Sequence, residues 1–110
     1  MGTSKTDAFT DDQNKLAQLA KALGHPARVA IIDFLLKQQS CMCKDIVDEL
    51  PLAQATISQH LRELKNTGLI QGTIEGNAVC YCLNPIAFEQ IQAYCQAITQ
   101  HLERLNKDCC

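Results

Sequence analysis

A chain of 110 residues has room for one domain, and 46% hydrophobic with 20% charged residues is the composition of a folded protein rather than a disordered one. A formal net charge of -2 excludes a protein that coats nucleic acid non-specifically, so any DNA binding has to come from a local basic surface. No run of about 18 apolar residues is present to span a bilayer, and residues 1–12 lack the apolar centre of a signal peptide. The expectation is a cytoplasmic protein whose seven cysteines, an odd number, stay available for metal or redox chemistry instead of forming a disulfide framework.

Residues 1–10 read as a flexible arm. Asp11 or Asp12 then caps a first helix that carries Leu16, Leu19, Ala20 and Leu23 on one side and stops at Gly24. Pro26 suits the first turn of a second helix with Ile31, Phe34 and Leu35 as its apolar face. A polar break over residues 37–40 leads to Cys41-Met42-Cys43, after which a short third helix uses Ile46, Val47 and Leu50 and ends at Pro51. A fourth helix runs over about residues 53–67, with Ile57, Leu61 and Leu64 facing inward and Gly68 as its stop. The apolar period then drops to two: Ile70, Gly72 and Ile74, a turn at Gly76-Asn77, then Val79, Tyr81 and Leu83. Asn84-Pro85 opens a last helix to about residue 106, and Phe88, Ile91, Cys95, Ile98, Leu102 and Leu105 recur along it at the spacing of a helix-packing seam. Residues 107–110 form a tail that ends in Cys109-Cys110.

These elements make a mainly α chain with a small β-hairpin, ordered as a winged helix-turn-helix. The seam on the last helix exceeds the needs of so small a core, so a homodimer joined through the first and last helices is expected. The fourth helix takes the recognition position. Gln54, Thr56, Ser58 and Gln59 on its first turns are side-chain types that read base edges, and His60 and Arg62 are expected nearer the DNA backbone. Asn77 at the hairpin tip is a weaker contact candidate.

Cys41 and Cys43 are the candidate metal ligands, because thiolates select soft ions. On a regular helix two residues at this spacing point to nearly opposite sides, so gripping one ion requires an extended or unwound backbone at Met42. Ion binding then favours a distorted helix start just ahead of the recognition helix, which shifts the population away from the DNA-competent form. Cys95 reads as a packing thiol, a third ligand or a redox partner. Cys109 and Cys110 are further third-ligand candidates, and Cys80 with Cys82 is either exposed filler or a second soft site. No Cys-x-x-Cys, Ser-His-Asp set, phosphate loop or paired-carboxylate arrangement suggests an enzyme.

The run Leu23-Gly24-His25-Pro26-Ala27-Arg28-Val29-Ala30-Ile31-Ile32 resembles the opening signature of the ArsR/SmtB family of metal-responsive repressors. Ala55-Thr56-Ile57-Ser58-Gln59-His60-Leu61-Arg62-Glu63-Leu64, Thr67-Gly68-Leu69-Ile70 and the stretch from Val79 to Pro85 are similar to its recognition helix and wing. The resemblance covers about residues 16–102. It implies a dimeric winged-helix repressor that leaves an inverted-repeat operator when its inducer binds. The family's arsenic-sensing branch carries Cys-Val-Cys-Asp-Leu-Cys where this chain has Cys41-Met42-Cys43-Lys44-Asp45-Ile46, so two of three thiols match and Ile46 replaces the last. Arsenite or antimonite is the expected inducer, with cadmium or lead as further candidates. The alternative is a thiol-redox or persulfide sensor of the same fold. The Asp/His/Glu zinc site on the last helix of other branches falls near Pro85 and Ala87, which cannot ligate, leaving His101 alone.

Overall fold

The computed structural model describes residues 7–38, 46, 50–75 and 78–105. In chain order the elements are α1 (Asp11–Leu23), α2 (Pro26–Leu36), α3 (Gln54–Thr67), β1 (Ile70–Glu75), β2 (Ala78–Leu83) and α4 (Pro85–Arg104). The sequence-predicted short helix before α3 lies outside the described residues, apart from Ile46 and Leu50 at its ends. So do the turn at Gly76-Asn77 and most of the N-terminal arm and C-terminal tail.

Three of the four described helices, α1, α2 and α4, begin where a side chain satisfies free backbone donors, whereas α3 starts after Ala53 without a side-chain cap. The cap of α1 is Thr10 rather than Asp11 or Asp12. Its Oγ1 accepts from the Gln13 backbone N–H at 3.0 Å, and the Gln13 side chain returns the bond to the Thr10 N–H at 3.0 Å. That reciprocal Thr-x-x-Gln arrangement satisfies two donors at once. Asp11 and Asp12 fall in the first turn, where their charge still complements the helix dipole. His25 caps α2 through Nδ1, which accepts from the Ala27 N–H at 3.1 Å. Asn84 caps α4 through a bond from the Ile86 N–H.

α3 stops at Gly68, whose φ of 90° is a left-handed conformation that only glycine adopts without strain. Asn84 then ties the far end of the hairpin back to this corner. Its backbone N–H donates to the Leu69 carbonyl at 3.0 Å, and its side-chain Nδ2 donates to the Gly68 carbonyl at 2.8 Å. β1 and β2 pair antiparallel, with Ile70 opposite Leu83 and Gly72 opposite Tyr81. A Cβ at Gly72 would sit 3.3 Å from the Tyr81 ring and 3.4 Å from the Lys65 stem, so the missing side chain lets the ring lie close.

The core gathers Leu19 and Ala22 of α1, Ile31, Ile32 and Leu35 of α2, Ile57, Leu61 and Leu64 of α3, then Leu69, Ile70, Ala87 and Ile46. Tyr81 and Leu83 pack onto it from one face of β2, as their alternation predicts. The seam on α4 divides. Phe88 and Ile91 pack against this core, whereas Ile98, Leu102 and Leu105 stand exposed. None of the described helices is long and apolar enough to cross a membrane.

Candidate nucleic-acid interface and thiol positions

α3 has two faces of opposite character. Ile57, His60, Leu61 and Leu64 recur at helical spacing and are buried. Gln54, Thr56, Ser58, Gln59 and Arg62 are all exposed on the other sides of the same helix. Five of the six residues assigned to DNA therefore stand on a free polar surface that starts at the helix N-terminus.

The sixth does not. His60 is 8% exposed and turned inward, which corrects its placement near the DNA backbone. The Arg28 Nε donates to His60 Nδ1 at 3.1 Å, and Arg28 Nη1 donates to the Ala22 carbonyl at 3.3 Å. The His25 and His60 rings lie 4.5 Å apart between centroids at 52°. Because Nδ1 accepts, the neutral imidazole carries its proton on Nε2. Burial, followed by the charges of His25 and Arg28, pushes the His60 pKa below its ordinary value of 6.5. The group is thus a neutral strut that joins the middle of α3 to the start of α2 and the end of α1. Sequence reasoning had a signal for the burial, since position 60 falls on the stripe through Ile57, Leu61 and Leu64. It had none for Arg28, 32 residues away in the chain.

Cys41, Cys43, Cys109 and Cys110 lie outside the described residues, as does Asn77. Cys95 is a free thiol on the exposed part of α4. Cys80 is 2% exposed, so it is not the surface filler that strand alternation left open. Cys82, two residues on, is half-buried, and both are in disulfide linkage. Pro85 sits in the first turn of α4, Ala87 is buried and His101 is exposed. Among the described residues no group of three or more His, Cys, Asp or Glu side chains is placed to hold a metal ion.

Residues 25–71 match the model of the bacterial regulatory proteins of the arsR family. A cadmium resistance transcriptional regulatory protein CadC homolog of Staphylococcus aureus is 34% identical over 89 residues, covering 80% of this chain and 73% of that one. The chain belongs to the arsR family. An arsenical resistance operon repressor of Staphylococcus xylosus is 28% identical over 92 residues, covering 84% of this chain and 81% of the repressor. The fold agrees with that of an ArsR-like transcriptional regulator from a Rhodococcus, with a TM-score of 0.73 at 20% identity over 86% of this chain and 89% of that one. Members of the arsR family are DNA-binding transcriptional regulators, not enzymes. The expected winged helix-turn-helix is the fold observed.

Proposed function

We propose that this chain is a homodimeric repressor that binds an inverted-repeat operator and leaves it when a soft metalloid or metal binds the thiolates of Cys41 and Cys43. The observation that carries the DNA half is the division of α3: one face locked into the core, the other presenting Gln54, Thr56, Ser58, Gln59 and Arg62 to solvent. A helix held that firmly positions its outward side chains for a major groove, where Gln pairs with adenine and Arg with guanine. The exposed Ile98 and Leu102 on α4 support a second copy as the partner, which would set two α3 helices against two half-sites. A DNA target places the protein in the cytoplasm.

The ion half rests on the thiol pair in the chain between α2 and α3. Relatives named for arsenical and cadmium resistance support a thiophilic inducer. Arsenite or antimonite is favoured by the match to two of the three thiols of the arsenic-sensing pattern, with cadmium and lead as further inducers. Cys95, Cys109 and Cys110 are the candidates for a third sulfur within this reading.

Fluorescence anisotropy of the reduced protein on an inverted-repeat operator from its own promoter, at fixed salt, tests both halves. Micromolar arsenite should release the wild type and leave the Cys41→Ser/Cys43→Ser variant bound. Release by a disulfide-forming oxidant alone would establish the thiol-redox or persulfide sensor instead.

A further inference from the structure

We propose that Cys80 and Cys82 on the wing strand are themselves ligands for the soft inducer, which makes β2 part of the sensor. This inference rests on the thiolate-sensor reading above. The Cys-x-Cys spacing occurs twice in the chain, and its meaning depends on the backbone beneath it. On a strand, residues two apart point to the same face, with Cα atoms about 6.6–6.8 Å apart. Two such sulfurs can tilt toward one ion without unwinding anything. Cys80 and Cys82 hold that position by virtue of β2.

Their surroundings set them apart from ordinary strand residues. They lie on the face of β2 opposite Tyr81 and Leu83, which pack on the core, yet Cys80 is 2% exposed. Both are in disulfide linkage, which places each Sγ within bonding reach of another sulfur. Sulfurs that close together oxidise to a disulfide or, once reduced, share a thiophilic ion. β2 also packs beside α2, and in the sequence Cys41 and Cys43 fall between α2 and Ile46, a residue of the core.

Ile46 explains why strand thiols are needed. It stands where the arsenic-sensing pattern has its last cysteine, and at 2% exposure it is committed to the core. A trivalent metalloid takes three sulfurs, and Cys41 with Cys43 supplies two. Loading begins with reduction, in which two molecules of a low-molecular-weight thiol reduce each disulfide to two protein thiols and leave as their own disulfide. Arsenous acid then condenses with three protein thiols: three As–S bonds replace three As–O bonds, and each thiol proton leaves with a hydroxyl as one of three waters. Asn84, at the end of β2, bonds the carbonyls of Gly68 and Leu69 at the foot of α3, so a pull on the strand reaches the recognition helix directly.

The test counts sulfurs around arsenite by X-ray absorption on the reduced full-length protein and measures the arsenite needed for operator release. Wild type, Cys41→Ser/Cys43→Ser, Cys80→Ala/Cys82→Ser and Cys80→Ser/Cys82→Ser are compared. Operator affinity without arsenite serves as the check on folding. Losing an outer-shell partner alone costs about 10- to 100-fold in metal affinity, and losing a ligand costs no less. The expected result is three sulfurs in the wild type, fewer in the Cys80→Ala/Cys82→Ser variant, and release that needs at least about tenfold more arsenite. An unchanged sulfur count and release in that variant, with the response lost in Cys41→Ser/Cys43→Ser, overturns the strand site and leaves the sensor reading standing. If arsenite binds neither the wild type nor any variant, both fail. Should the Cys80→Ala/Cys82→Ser variant lose operator binding outright, Cys80→Ser/Cys82→Ser, which keeps both side chains close to their size, decides; a wild-type sulfur count in it overturns the proposal.

Discussion

α3 and α4 are both amphipathic, but they use their faces in opposite ways. The 14 residues of α3 bury four side chains, whereas the 20 of α4 bury only Ala87. What α3 leaves in solvent is polar, and what α4 leaves in solvent includes Ile86, Tyr94, Ile98 and Leu102. A polar free face is a finished surface ready for a charged ligand. An apolar one is an unfinished core, and in the function proposed above a second copy of the chain completes it. The sharpest way to break the first half of this comparison is at Leu64, which is fully buried. Leu64→Ala should cost about 2–5 kcal/mol through lost transfer free energy and the cavity left behind. Urea unfolding would show it as a lower midpoint at unchanged slope.

The second half is broken by charge on the exposed stripe of α4. Ile98→Glu/Leu102→Glu leaves the core untouched, because both positions are outside it in the single chain. In a dimer the two carboxylates would meet their copies in an apolar seam, where each unpaired buried charge costs several kcal/mol. The dimer dissociation constant should rise by about 100-fold or more, which corresponds to about 2.7 kcal/mol. Sedimentation at micromolar protein should then show monomers, with helix content retained. A dimer unaffected by both changes would move the interface elsewhere.

The same contrast shows what was legible in the sequence. Periodicity identified both helices and five of their seven inward residues, missing His60 and Ala87, because the 3.6-residue repeat of large apolar side chains records burial. It did not say which apolar stripe a single chain buries, and so α4 read as one seam where the fold splits it after Ile91. His60 was misplaced for a different reason. Its chemistry suggested DNA while its position, three after Ile57 and four before Leu64, put it on the core stripe. Position won because Arg28 satisfies the ring nitrogen from inside. Thr10 displaced Asp11 and Asp12 as cap because only it makes the reciprocal pair with Gln13. The thiols of β2 were left open since burial of the strand's second face depends on what lies over it, which no local pattern encodes.

The strut behind α3 gives a smaller effect with a pH signature. Arg28→Ala leaves His60 Nδ1 buried without its donor, which should cost about 1–3 kcal/mol. The folded-state pKa of His60 lies below 6.5, so between those values the unfolded chain binds more protons at this residue than the folded one. Its contribution is fully present above pH 6.5 and is lost as pH falls through the folded pKa. His60→Gln keeps an acceptor for Arg28 and removes the titration. Stability measured from pH 7.5 to 5.5 should therefore fall less steeply in that variant than in wild type. Equal slopes would mean that the ring titrates as it does in the unfolded chain.

The smallest effects belong to the outward face of α3, and they should leave stability alone. Gln59→Ala and Arg62→Ala change exposed side chains that no described contact holds, so unfolding should move by no more than about 0.5 kcal/mol. Their effects on operator binding should differ in kind. If Gln59 reads a base edge, its loss relaxes preference at one position of each half-site by about 1–3 kcal/mol. If Arg62 meets phosphate, its loss weakens all sequences alike and lowers the salt slope by about one per contact. Anisotropy titrations against single-base operator variants at several salt concentrations separate the two. A uniform loss from Gln59→Ala would move the reading position toward the N-terminal turn, to Gln54 and Thr56, since the helix enters the groove by that end and residues further along it sit progressively closer to the backbone.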